Sequence, residues 1–96
     1  MNHRYRAPGG SGEPIEVVEG SDGVPVGFCW RGRHYAVGAV AAAWVEALPW
    51  WVDRGYGQRH LWRVEATPHA GTSGVYDLYR VSCDERRQWG LEQVLD

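Results

Sequence analysis

The stretch VPVGFCWRGRHYAV, residues 24–37, limits the fold of this 96-residue chain more than any other. A two-residue turn at Arg31-Gly32 pairs Trp30 with Arg33, Phe28 with Tyr35 and Val26 with Val37. Directly opposed residues share a face, so Val26, Phe28, Trp30, Tyr35 and Val37 all fall on one side. Gly32 can supply the positive φ that a tight hairpin turn needs. A β-hairpin is therefore expected here, and a hairpin must find further strands to cover its apolar face.

Those strands can be read on either side. Residues 1–13 are polar and rich in Gly, Pro and Arg, which suits an N-terminal arm rather than a packed element. The folded domain is expected over 14–96. It opens at PIEVVE, where Ile15 and Val17 alternate with Glu16 and Val18, followed by a GSDG turn at 20–23. Residues 38–48 admit two readings. Gly38 invites a bulge in a long, bent strand running to about Glu46. Val37, Val40, Ala41, Trp44 and Leu48 also fit helical spacing, so a short helix near 39–48 is the alternative. Pro49 ends either element.

Beyond the loop at 49–57, RHLWRVEA alternates with Leu61, Arg63 and Glu65 on one face and Trp62, Val64 and Ala66 on the other. TPHAGTSG, dense in breakers, joins it to VYDLYRVS, where Tyr76 and Leu78 oppose Val75, Tyr79 and Val81. Asp77, in mid-strand, is expected to face solvent. After the charged turn CDERR, QWGLEQVLD turns Trp89, Leu91 and Val94 inward. The whole reads as an all-β domain, a small antiparallel barrel or sandwich of about six strands.

Composition narrows the function. All ten basic residues are arginine, and the net charge is −2, so bulk electrostatics do not draw the chain toward nucleic acid. No apolar run approaches the roughly 20 residues of a membrane-spanning helix. The start lacks an apolar leader, so the expected location is cytoplasmic. Cys29 and Cys83 are read as reduced thiols, and the four histidines share no metal-ligand spacing with them. No nucleophile elbow, zinc helix or phosphate loop is present. Neither catalytic residues nor a cofactor are expected.

The remaining candidate is a binding surface. PWWVDRGYG gathers Trp50, Trp51, Arg54 and Tyr56 in a loop, with Arg59 just beyond, and Trp, Tyr and Arg are the types enriched at interface hot spots. Arg31 and Arg33, at the hairpin tip, complete the set of candidate partner contacts. Adjacent strand residues point to opposite faces, so one of Trp50 and Trp51 is expected to be structural and the other available.

The order of these features resembles a small actinobacterial family of unknown function. It is also similar to the C-terminal tail of ImuB, an inactive Y-family polymerase homologue of the damage-induced mutasome. The matching positions are Arg31 to Tyr35, Trp44, Pro49 to Trp51, Arg59 to Val64, Tyr76 to Leu78 and Trp89 to Asp96. The ending differs, reading Val94-Leu95-Asp96 where the tails have tyrosine-aspartate. The resemblance implies a non-catalytic, protein-binding accessory of DNA repair or translesion synthesis, with a polymerase or mutasome component as partner. The alternative is a single-strand nucleic-acid binder, with Arg54, Arg59 and Arg63 on phosphates and Trp50, Trp51 or Tyr56 stacking on bases.

Overall fold

The computed structural model describes residues 13–47, 58–83 and 86–95. The expected arm, bar Glu13, and the loop residues Trp50, Trp51, Arg54 and Tyr56 lie outside these. The described chain is all β: β1 (Glu13–Pro14), β2 (Glu16–Glu19), β3 (Pro25–Trp30), β4 (Arg33–Ala47), β5 (Gln58–Pro68), β6 (Gly74–Cys83) and β7 (Arg86–Leu95). They form one antiparallel sheet in the order β1-β7-β6-β5-β4-β3-β2.

The two outermost strands of that order are consecutive in sequence. β1 pairs with β7 through Glu13 and Pro14, and the Ile15 amide donates to the Trp89 carbonyl at 3.2 Å. One residue later, β2 pairs with β3. The single strand expected at 14–19 thus serves both edges of the sheet, and the sheet must curl to let it. The indole of Trp89 donates to Glu19 Oε2 at 3.1 Å across the same seam.

The hairpin forms as its sequence requires. Trp30 opposes Arg33 and Phe28 opposes Tyr35. Both turn residues have positive φ, 53° at Arg31 and 76° at Gly32, the pattern of a type I′ turn whose twist matches that of the flanking strands. The expected Val26–Val37 pair does not form. The register between β2 and β3 shifts after Val18, so that Glu19 opposes Pro25 and Val26 is the extra residue. A bulge reverses the phase of alternation. Pro25 is buried in its place, and Val26 is 49% exposed.

The helical reading of 39–48 is corrected: β4 is strand through Ala47. It bends at two bulges against β5, one at Gly38 as its sequence suggests and a second at Ala41. Pairing to β5 holds β4 in the extended state against the helix preference of its alanines, which amounts to a few tenths of a kcal/mol per residue.

The inner face of the curl holds the core. Trp62, Val64 and Ala66 of β5, Tyr76 and Leu78 of β6, and Trp89 and Leu91 of β7 are buried there, as alternation predicts, with Phe28 and Tyr35 from the hairpin. Phe28 stacks on Tyr35 with ring centroids 4.8 Å apart, and Tyr76 meets both edge-on at 5.4 and 5.3 Å. Trp30 caps this group and donates its indole N–H to Glu13 Oε2 at 2.8 Å, tying the hairpin to β1.

Candidate functional site

The sequence candidates divide between the two ends of β4. Arg31 and Arg33 sit at the hairpin tip, both exposed. The Arg31 guanidinium lies 4.7 Å from the centre of the Trp30 ring and 3.7 Å from Glu13. Arg59 lies at the far end, opposite Glu46. Up to about 40 Å of strand contour separates the two positions at ~3.3 Å per residue, so they do not converge on one ligand.

Arg59 is also fully engaged. Alternation places it on the outer face of β5 with Leu61 and Arg63. Its Nε and Nη2 donate to Glu46 Oε1 at 3.1 and 2.8 Å. Nη1 and Nη2 donate to the Glu92 carboxylate at 3.0 and 3.2 Å. Glu92 is two strands away, and three local features let Arg59 reach it. Gly90 has no side chain, so the Tyr79 ring lies where a Cβ would stand. The Arg59 guanidinium in turn rests over that ring, 5.2 Å from its centre. Finally, a bulge opposite Asp77 and Leu78 makes Glu92 the extra residue between Leu91 and Gln93. Burial opposes the charge on Arg59, but the hydrogen bonds and charges of Glu92 and Glu46 outweigh it and hold its pKa above the ordinary arginine value. Burial raises the Tyr79 pKa, with Arg59 opposing and Glu92 adding to the rise.

A second clamp lies beside the first. Arg63 opposes Asp77, and its Nε and Nη2 donate to the two carboxylate oxygens at 2.8 and 3.0 Å. Gln93 Nε2 donates to Asp77 Oδ2 at 2.6 Å. The solvent-facing position expected for Asp77 is therefore corrected: it is 0% exposed. Its strand position did place it on the outer face, but a planar guanidinium and an amide from the flanking strands enclose it there. Trp44 completes the surface, with its indole N–H on Glu46 Oε2 at 3.1 Å and the Arg63 guanidinium 5.5 Å from its ring. Sequence alone does not mark Glu46, Tyr79 or Glu92 as site residues, and it offers Asp77 only as a solvent-facing strand position. The Glu46–Arg59 pairing could be read only once the β4–β5 register was known.

β4 itself forms the third part of the surface. Beyond Ala36 its β3-side edge has no strand partner among the described residues. Ala36 and every residue from Gly38 to Ala43 are exposed, and Val40 and Val45 are 42% and 50% exposed. No residue from Ala36 to Val45 carries a charge.

No group of three His, Cys, Asp or Glu side chains among the described residues is placed to hold a metal ion. Cys29 is a free thiol and half-buried. A shallow pocket of about 190 Å³ lies beside it, lined by Glu16, Val18, Phe28, His34 and Tyr35 among others. No curated protein and no solved structure matches the chain. One family model does, over residues 10–96, nearly the whole length. The chain belongs to the family described as a domain of unknown function, DUF6504.

Proposed function

We propose that this chain is a non-catalytic protein-binding module that receives an extended segment of its partner along the β3-side edge of β4, which has no strand partner among the described residues. The observation that carries this reading is the edge itself. It runs from Val37 to Glu46 with no charge before Glu46, no proline and, apart from Trp44, only Gly, Ala and Val side chains before Glu46. An edge strand exposes a row of backbone donors and acceptors, and proteins ordinarily blunt such edges with lysine, proline or a covering element. The two bulges twist this edge but leave Ala42–Ala47 in regular register with β5. Strand addition uses the main chain for affinity and leaves specificity to alternate side chains.

The resemblance to the ImuB tail supplies the partner class, a polymerase or mutasome component of DNA-damage tolerance. The single-strand nucleic-acid reading has less support, because two of its arginines, Arg59 and Arg63, are already neutralised by carboxylates.

A photo-crosslinking residue at Ala42, in cells of the native host after DNA damage, tests the reading. The expected product joins the chain to a polymerase-like or recombinase-like protein. It should disappear when Ala39→Lys is added and persist with Arg33→Gln. Products containing no damage-tolerance protein, or products unaffected by the edge lysine, would overturn it.

A further inference from the structure

Arg80 differs from the arginines of the outer face. It lies on the inner face of β6, in register with His60 of β5 and Trp89 of β7. Its guanidinium carbon is 5.2 Å from the centre of the Trp62 ring and 5.7 Å from that of Trp89, and these two rings lie 5.2 Å apart. His60 stacks on Trp62, with ring centroids 6.1 Å apart. Among the described residues, Arg80 makes no hydrogen bond and no ion pair. Its Nε is buried and lacks a partner. Glu19, whose carboxylate accepts from the Trp89 indole, comes into the neighbourhood: a Cβ on Gly23 would stand 3.5 Å from Arg80 Nη1 and 3.9 Å from Glu19 Oε1.

We propose that Arg80, held by the Trp62 and Trp89 rings, is the docking point for a carboxylate of an acidic peptide segment. Aromatic faces orient a guanidinium without consuming its donors, and a fork held in this way is ready for a planar, two-oxygen acceptor. An unpaired buried N–H costs roughly 1–3 kcal/mol, and a carboxylate binding side-on would satisfy it. The neighbouring inner surface is apolar and open. Val45 shares the cross-strand row with His60 and Arg80, and Val40 lies two layers further along, past Ala43, all three exposed. The ligand that fits carries an acidic side chain within a few residues of an apolar one.

A nucleic acid fits less well. Stacking a base needs an open ring face, and Trp62 and Trp89 are only 8% and 9% exposed. The net charge of −2 also disfavours a polyanion.

The test follows the Arg80 Nε–H and Trp89 indole N–H resonances of the ¹⁵N-labelled chain. The titrants are a short peptide alternating Asp and Leu, the same peptide with Asn for Asp, and oligothymidylate. The Asp peptide should shift both resonances saturably and the Asn peptide neither. Arg80→Gln should weaken binding about ten-fold or more, the scale of a lost charged hydrogen bond. Arg80→Lys keeps the charge without the fork and should lie between; it decides the matter, with the Asp–Asn comparison, if the Gln variant does not fold. Equal shifts from both peptides, undiminished binding in both Arg80 variants, or tighter binding of oligothymidylate would overturn the proposal. Ala42→Lys, which obstructs the β4 edge, should leave the titration unchanged, so this site and the edge reading fail separately.

Discussion

Arg63 and Arg80 sit on neighbouring strands of one sheet and face opposite ways. On the outer face, Arg63 grips a fully buried Asp77 with two hydrogen bonds, and Arg59 beside it holds two carboxylates. On the inner face, Arg80 packs against aromatic rings and makes no side-chain hydrogen bond or ion pair among the described residues. The first arrangement spends its donors on the fold. The second keeps them, and the difference separates a structural cation from one available to a ligand.

The comparison breaks most readily at Asp77. Arg63→Met leaves that carboxylate with Gln93 alone, and an uncompensated buried charge costs about 3–5 kcal/mol. Urea denaturation should show this loss, and the double variant Arg63→Met with Asp77→Leu should recover much of it. Next is the stack beneath Arg59. Gly90→Ala puts a methyl group where the Tyr79 ring lies. Forced repacking of this kind costs about 1–3 kcal/mol, and the Arg59–Glu92 contact should loosen with it. A thermal melt and the Arg59 Nε–H resonance check the two effects.

A smaller effect is alkaline. The folded pKa of Tyr79 is raised, so its contribution is fully present below the unfolded tyrosine value of about 10 and is lost as pH rises through the folded value. Tyr79→Phe should therefore reduce the fall in stability between pH 9 and pH ~11 in denaturant titrations. The smallest change should come from Arg80→Met. Lost contact with the rings costs about 0.5–2 kcal/mol, while removal of the orphan N–H returns about 1–3 kcal/mol, leaving a net effect within roughly 1 kcal/mol. A loss as large as that for Arg63→Met would erase the distinction between the two faces.

Local rules carried the sequence reading a long way. Arg31-Gly32 specified its turn, alternation placed Trp62, Val64, Tyr76 and Leu78 on the core face, and Gly38 marked a bulge. Where the structure departs from the expectation, the common cause is the register between paired strands. Val26 was misplaced because a bulge opposite Glu19 shifts the phase of β3. Asp77 could not be recognised as buried without knowing that Arg63 and Gln93 flank it. Arg59 met Glu92, 33 residues away, only because Gly90 and a bulge in β7 opened the path. Alternation says which face a residue takes. It does not say what waits there.

The divided first strand also sets an order of events. Its first two residues pair with β7, and its seam bond joins Glu19 to Trp89 across 70 residues of sequence. During synthesis from the N-terminus, the earliest strand must wait for the last one before its edge contacts can form. Closing so long a loop is slow, and the aromatic core has to hold without the seam in the meantime. The seam should thus be the late step of folding. Substitutions at Glu19 should speed unfolding while leaving the folding rate nearly untouched, a split that a chevron plot reads directly.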